Sequence, residues 1–318
     1  MSEPTDKPAN EEPAALMSED CQEHHDGCCN PSEPLHVHIH IHLHNKCCSP
    51  APDEAVSSIT PASRMAHASR SAPIKPLGAD AALGLPAMKV GYSGTTLGDP
   101  GTAEFITQIK SSKNYGPNGK YNKIKSVVFS DATKDIVKPS QTPAQLKKKY
   151  SVISFGLDGT ASTAVQAKLL KGYVALGGGL ILTCDHKVTP GMVDFLNAFG
   201  HTGAITPSSV LLTAYSGQSS STEKTSDYFG DAADVELNGA ATLALTPKQL
   251  PANSRVLAST DKTILLWLLG DMDERVLVIS DYELIKLNSS GISVNTKEEK
   301  FLHNLIAYLF DQVLKPSK

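Results

Sequence analysis

The chain has 318 residues, which is enough for two ordinary domains or for one domain with a long extension. Its formal net charge is −4, from 29 basic and 33 acidic residues, so we expect no nucleic-acid partner. No apolar run approaches the roughly 20 residues that a membrane-spanning helix needs. Residues 1–25 lack the basic start and apolar centre of a secretory signal. We therefore expect a cytoplasmic protein without a membrane span, although export by a route other than Sec stays open.

Residues 1–86 differ in composition from the rest of the chain. They contain no Phe, Trp or Tyr, hold eleven of the twenty prolines, and carry a net charge of −7, whereas residues 87–318 carry +3. Such a segment cannot bury enough apolar surface to offset the entropy lost on ordering, so we expect it to be disordered without a ligand. Composition separates an acidic, Cys/His-rich tail at 1–50 from an Ala/Ser/Pro linker at 51–86, and predicts one α/β domain at 87–318.

Residues 21–48 contain five Cys and seven His. In residues 35–44, LHVHIHIHLH, His alternates with apolar residues. Alternate residues of a strand share a face about 6.6 Å apart, so these His side chains would line one side. Imidazole and thiolate favour zinc, copper or nickel over magnesium or calcium, and zinc is the metal we expect first. The predicted metal ligands are His24, His25, Cys28, Cys29, His36, His38, His40, His42, His44, Cys47 and Cys48.

Other interpretations of this segment remain open. In an oxidising compartment Cys28 and Cys29 could form disulfides with Cys47 and Cys48, and compositional drift or an expression tag would also produce a His-rich tail. No C-x-x-C spacing is present, so several metal ions, or sites shared between chains, fit the pattern better than one zinc-finger site. The apolar face of residues 35–44 also predicts self-association through this segment, because a single strand leaves its edges unpaired.

From Met88 onward, predicted strands alternate with predicted helices. We predict strands at 88–94, 125–133, 150–159 and 180–186, helices at 98–112, from Thr142 onward, and at 162–179, 189–200 and 297–314, two strands joined by an acidic turn within 263–284, and an exposed loop at 216–227. In the helix at 162–179 we expect Val165, Leu169, Tyr173 and Val174 to face inward. Alternation of this kind predicts right-handed crossovers and a mostly parallel sheet with helices on both faces.

Three segments carry a resemblance to a known superfamily: ISFGLDG at 153–159, LLKGYVALGGGLILTCD at 169–185, and the ending VLVISDYEL…FLHNLIAYLF. They resemble the class I glutamine amidotransferase-like superfamily, which implies a flavodoxin-like fold. The helix–GGG–strand passage is similar to its non-catalytic branch, which includes trehalose-utilisation-like and intraflagellar-transport or gliding-motility-type domains.

The same resemblance implies where a catalytic residue would lie. Active members place a nucleophilic Cys in a G-x-C-x-G elbow and follow it later with His and Glu. Cys184 falls near the nucleophile position but lacks both glycines, and Ser280-Asp281-Tyr282-Glu283 supplies no His at the later position. The resemblance thus favours a catalytically inactive binding or scaffold domain.

Polar residues follow the predicted parallel strands, where ligands usually bind in such sheets. These candidate pocket residues are Ser93, Thr95, Asp131, Asp158, Asp185, His186 and Asp281. They could line a pocket for a sugar or a metal ion, or they could simply cap the helices that follow the strands.

Taken together, these patterns favour a non-enzymatic metal-binding protein that serves storage, delivery or metal-driven assembly. The alternatives are an amidotransferase-like hydrolase that depends on Cys184, and a structural or filament subunit that polymerises through residues 35–44.

Overall fold

A computed structural model describes residues 84–158, 162–185, 187–220 and 225–316 of the chain. All of them belong to the compact unit that spans His67–Lys318. The predicted tail and its metal ligands, the strand at 35–44 and His186 lie outside the described residues, so those predictions remain open.

Nine of the described strands form one mixed sheet, and two more form a small ribbon. The strands are β1 (Ala87–Ser93), β2 (Ser126–Asp131), β3 (Val152–Gly156), β4 (Gly179–Thr183), β5 (Val210–Leu211), β6 (Tyr215–Ser219), β7 (Glu236–Gly239), β8 (Thr242–Leu243), β9 (Arg255–Ser259), β10 (Ile264–Leu268) and β11 (Val276–Ile279). Their order in the sheet is β2-β1-β3-β4-β11-β10-β9-β6-β7, and the ribbon pairs β5 with β8.

The α/β class is confirmed, but the sheet is mixed rather than mostly parallel. Strands β2, β1, β3, β4 and β11 run parallel to one another, whereas each pairing from β11 through β10, β9 and β6 to β7 is antiparallel. Parallel neighbours need a long crossover, usually through a helix. Within the described residues between Ala198 and Val276 there is no α-helix, and the strands β6, β7, β9 and β10 of that stretch pair antiparallel.

Seven α-helices lie in the described part of the chain. They are α1 (Ala103–Lys110), α2 (Thr133–Val137), α3 (Pro143–Lys149), α4 (Ala164–Ala175), α5 (Pro190–Ala198), α6 (Glu283–Leu287) and α7 (Lys297–Leu314). Thr142, Thr189 and Thr296 begin α3, α5 and α7, and each side-chain oxygen accepts a backbone N–H from the first turn. None of the described helices combines the length and hydrophobicity needed to cross a bilayer.

The helices cover both faces of the sheet and create two cores. One core packs residues of α1 and α7, such as Phe105 and Leu305, against Met88 of β1. The other packs α3, α4 and α5 against the opposite face, where Phe155 of β3 contacts Phe195 of α5. This sandwich leaves the two ends of the parallel strands as the places where polar side chains converge.

Two predictions about local structure were wrong. In α4, Val165 is 70% exposed, because the buried stripe runs through Ala167, Leu170 and Val174 and Val165 lies roughly 200° around the helix from Ala167. The predicted loop at 216–227 contains β6, which pairs with β7 and β9, so tertiary pairing overrides the weak strand propensity of its small polar residues. Residues 221–224 lie outside the described part.

Candidate functional site

Three of the predicted strand-end carboxylates come together around Cys184. Asp158, Asp185 and Asp281 follow β3, β4 and β11, which are parallel neighbours and therefore end at the same edge of the sheet. Cys184 itself is fully buried. Burial raises the pKa of its thiol well above the ordinary value, and the charges of the three aspartates raise it further. At neutral pH Cys184 is thus a buried neutral thiol rather than a nucleophilic thiolate.

Asp281 is the most perturbed carboxyl of this group. It is fully buried, its Oδ2 accepts a hydrogen bond from the Tyr215 hydroxyl at 2.6 Å, and its Oδ1 accepts the backbone N–H of Glu283 at 2.7 Å. Burial raises the pKa of Asp281 to about 6, assisted by the charges of Glu283 and Asp185, while the two hydrogen bonds oppose that rise. The group therefore changes its protonation state close to neutrality.

Asp158 lies where the order of the parallel strands reverses, between β1 and β3. Its Oδ1 is buried and has no hydrogen-bond partner among the described residues. The backbone is tightly packed there, because a Cβ added at Gly156 would lie 2.6 Å from the Thr95 nitrogen and 2.9 Å from Asp158 Oδ1. A reversal point of this kind is the usual ligand position in open α/β sheets.

Beneath these carboxylates lies a buried cluster of hydroxyls that sequence reasoning missed. Thr96 Oγ1 hydrogen-bonds both to Ser154 Oγ and to Thr183 Oγ1, the latter at 2.8 Å, and all three residues are fully buried. They belong to the loop after β1, to β3 and to β4. In the sequence, Ser154 and Thr183 are single polar residues within apolar strands, and that interruption was the available signal.

Ser93 and Asp131 lie apart from the central carboxylates, at the ends of β1 and β2. Thr133 joins them, because its hydroxyl donates to Ser93 Oγ at 3.2 Å and its backbone N–H donates to Asp131 Oδ1 at 2.8 Å. The same N–H lowers the pKa of Asp131. Asp131 is therefore engaged in turning the chain into α2, in agreement with the helix-capping interpretation. Thr95 is half-buried in the loop above β3.

Two tyrosines extend the site beyond the predicted residues. Tyr215 reaches Asp281 from β6, and the Tyr282 hydroxyl donates to Asp99 Oδ1 at 2.6 Å. Burial raises the pKa of both phenols, and their carboxylate partners raise it further. Because each contact joins residues that are far apart in sequence, no local pattern predicts it.

The arrangement offers buried carboxylates and hydroxyls but no metal cluster in the described ranges. No group of three or more His, Cys, Asp or Glu side chains there is arranged to hold a metal ion. The described site can accept hydrogen bonds from a polar ligand, and Asp281 can exchange a proton near neutral pH.

Comparison with known proteins adds only distant structural similarity. No protein-family model and no curated protein matches the chain. The chain is similar to the cytoplasmic protein STM1381 from Salmonella typhimurium LT2, at 14% identity and a TM-score of 0.41 over 71% of this chain and 98% of that one. It is also similar to the cytoplasmic protein STM3548 from Salmonella typhimurium, at 11% identity and a TM-score of 0.44 over 70% and 98% of the two chains.

A third similar structure is the mmIFT52 N-terminal domain, at 10% identity and a TM-score of 0.40 over 70% of this chain and 96% of that one.

Proposed function

We propose that this protein binds transition-metal ions through residues 21–48, with zinc as the main ion and copper or nickel as alternatives. The observation that carries the proposal is the concentration of seven His and five Cys in 28 residues, five of the His in strict alternation. Neutral imidazole and thiolate are the donors that these metals prefer. The protein would store or deliver the metal, or would assemble when metal ions join the His faces of neighbouring chains.

The α/β domain would be a catalytically inactive binding or scaffold module of the flavodoxin-like, amidotransferase-like kind. Its parallel strands have the order β2-β1-β3-β4-β11, which corresponds to the flavodoxin-like order 2-1-3-4-5 and supports this assignment. The burial of Cys184 and the raised pKa of its thiol argue against the Cys184-dependent hydrolase. We further propose a cytoplasmic location, where the Cys pairs stay reduced and available to the metal.

Metal titration of the full-length chain tests the proposal. The wild-type protein is compared, under reducing conditions and against a competing chelator, with two ligand variants. One replaces His36, His38, His40, His42 and His44 with Gln, and the other replaces Cys28, Cys29, Cys47 and Cys48 with Ser. A matched control replaces Val37, Ile39, Ile41 and Leu43 with Ser, which keeps every ligand and removes the apolar face.

We expect Zn²⁺ affinity to fall by about tenfold or more in each ligand variant, because each loses several first-choice donors, and to persist in the control. Light scattering on addition of Zn²⁺ should rise for the wild type and stay low for the control, if the apolar face mediates assembly. Equal Zn²⁺ uptake by the wild type and by both ligand variants would contradict the proposal.

A further inference from the structure

The two edge strands of the large sheet differ in whether other groups hydrogen-bond to their outer backbone. At β7, the Asn288 side chain closes the edge: its Oδ1 accepts the Asn238 N–H at 3.2 Å and its Nδ2 donates to the Asn238 carbonyl at 2.8 Å. At the other edge, β2 pairs with β1 and with no other strand of the described chain. An unpaired edge presents backbone N–H and C=O groups that can pair with another extended segment.

The open edge is partly apolar. Val128, in the middle of β2, is 51% exposed. Phe129 is half-buried, with the Lys110 ammonium 5.5 Å from its ring centroid. A strand that paired here would cover apolar side chains in addition to satisfying backbone groups.

The part of the chain that contains β2 is rich in lysine. Residues 110–150 contain ten lysines, two aspartates and no arginine, a net charge of +8, whereas the remainder of 87–318 carries −5. Lys123 and Lys125 precede β2, and Lys134 and Lys138 follow it. We call β2 with these four lysines the lysine-rich edge. Only Lys123 of the four has an ion pair within the described chain, with Asp311 at 3.0 Å.

The placement of the lysines argues against a second copy of this chain as the partner. They stand at both ends of β2, so pairing of two β2 strands in either direction would place lysines opposite lysines, and like charges across a ladder are destabilising. Nucleic acid fits poorly as well, since this stretch has no arginine, its three tyrosine rings are buried, and Phe129 is the one partly exposed aromatic ring there.

We propose that the lysine-rich edge binds an extended acidic peptide segment of a partner protein, which adds to β2 as a tenth strand. Main-chain hydrogen bonds would provide much of the affinity, and carboxylates at alternate positions would pair with the lysines and select the partner. The six residues of β2 span about 20 Å, so a segment of six to ten residues would cover the edge. This interaction goes beyond the proposed metal binding and does not depend on it.

The test measures binding of defined peptides to the full-length protein by fluorescence anisotropy. The probe is a ten-residue peptide of alternating Glu and Val with blocked ends. The comparison peptide alternates Glu and Pro, which keeps the charge but cannot pair as a strand. The protein variants are K125E/K134E/K138E and, as a matched control, K168E/K248E/K262E, which reverses three exposed lysines outside residues 110–150.

We expect the wild-type protein to bind the Glu-Val peptide at least about tenfold more tightly than the Glu-Pro peptide. The edge variant should bind the Glu-Val peptide about tenfold more weakly than the control variant does. Should the edge variant fail to fold, amide hydrogen exchange on the wild-type protein decides: the Glu-Val peptide should protect β2 and leave β7 unchanged. Equal binding of the two peptides would overturn the proposal, and so would protection of β7 instead of β2. A ten-residue oligothymidylate that binds as tightly as the Glu-Val peptide would also overturn it. The same holds if the protein forms a dimer that the Glu-Val peptide does not dissociate.

Discussion

The indole Nε1 of Trp267 donates a hydrogen bond to Nε2 of His201 at 3.2 Å, inside the core between the sheet and α5. The other ring nitrogen, Nδ1, lies 3.0 Å from the carbonyl of Leu196, so the contacts assign the proton of a neutral ring to Nδ1. Burial lowers the pKa of His201 to about 4 and that of His303 to about 3. The fold thus contains two histidines that must remain uncharged.

Acidification should therefore destabilise the protein at a pH above that at which carboxylates of ordinary pKa protonate. In the unfolded chain each histidine titrates near pH 6.5. Below that pH the unfolded state therefore binds protons that the folded state does not bind. The stability that these histidines contribute above pH 6.5 is lost as the pH falls. Between pH 7.5 and 5.5 the two histidines together should cost about 3 kcal/mol, and the raised pKa of Asp281 should offset about 1 kcal/mol.

We expect a net loss of about 2 kcal/mol in the free energy of unfolding, measured by urea titration with the fluorescence of Trp267, the single tryptophan of the chain. The variant His201→Gln should lose about 1 kcal/mol less over the same pH interval, since one titrating group is gone. A wild-type stability that is equal at the two pH values would contradict this prediction.

The second buried histidine belongs to a polar network between α1 and α7. His303 Nε2 lies 2.8 Å from Gln108 Oε1, and Gln108 Nε2 donates to Glu299 Oε1 at 3.0 Å, so His303 holds its proton on Nε2. Its Nδ1 then accepts the Tyr115 hydroxyl at 2.9 Å. Tyr115→Phe should lower the free energy of unfolding by about 1–3 kcal/mol, because the buried Nδ1 is left without a donor.

Tyr228→Phe is the matched control for that measurement. It removes a hydroxyl that donates to Asp311 Oδ2 at 3.0 Å on a half-exposed side chain, where water replaces the lost donor. Its cost in urea unfolding should stay below that of Tyr115→Phe. Equal costs would show that burial of the network does not set its contribution.

Local signals account for what could be predicted of the fold. Helix α7 has the bounds predicted for it, because an apolar stripe at helical spacing follows Thr296, whose hydroxyl accepts the Glu299 N–H. The antiparallel half of the sheet could not be predicted in the same way. Strand β6 has the sequence YSGQS and owes its conformation to pairing with β7 and β9, which no short pattern encodes.

Some residues of the candidate site could likewise be predicted from local sequence, whereas others could not. Asp158, Asp185 and Asp281 were predictable because each directly follows an apolar run that forms a strand. Their partners were not: Tyr215 lies 66 residues from Asp281 and reaches it only because β6 and β11 belong to one sheet. Sequence patterns therefore located the strand ends, and tertiary pairing determined the protonation behaviour found there.

Cys184 should be unreactive in the folded protein. Its thiol is fully buried, and its pKa is raised by burial and by neighbouring aspartates, so both access and thiolate are lacking at pH 7.5. Iodoacetamide labelling followed by peptide mapping should leave Cys184 unmodified in buffer and modify it in 8 M urea, a concentration of roughly the size that unfolds most domains. Rapid labelling in buffer would restore Cys184 as a candidate nucleophile.

The hydroxyl of Tyr215 should control the titration of Asp281. Its hydrogen bond to Oδ2 stabilises the carboxylate and so lowers a pKa that burial has raised to about 6. Tyr215→Phe removes that donor and should move the pKa of Asp281 further upward, measured by NMR titration of the side-chain carboxyl carbon. Tyr282→Phe is the control, because the Tyr282 hydroxyl donates its hydrogen bond to Asp99 and not to Asp281. A pKa that falls in Tyr215→Phe would contradict the assigned direction of the bond.

Arg275, at the amino end of β11, forms hydrogen bonds to the end of α7 and to the two residues that follow it. The residue is 3% exposed, its Nε donates to the Gln312 carbonyl at 3.0 Å, and its Nη2 donates to the carbonyls of Lys315 and Pro316 at 3.1 and 3.2 Å. The Gln312 carbonyl belongs to the last turn of α7, where carbonyls lack intrahelical partners, and Lys315 and Pro316 follow the helix. Arg275→Met keeps much of the side-chain volume and removes all three bonds.

We expect Arg275→Met to lower the free energy of unfolding by about 2–3 kcal/mol, because charge-assisted bonds to otherwise unpaired carbonyls are lost. Amide exchange of Lys315, whose N–H donates to the Asp311 carbonyl, should accelerate as the last turn frays. Arg255→Met, which breaks the quarter-exposed ion pair with Glu274, should cost about 1 kcal/mol or less and leave that amide unchanged. If both variants lost the same stability and Lys315 kept its protection, the buried bonds of Arg275 would not be what holds α7 against the sheet.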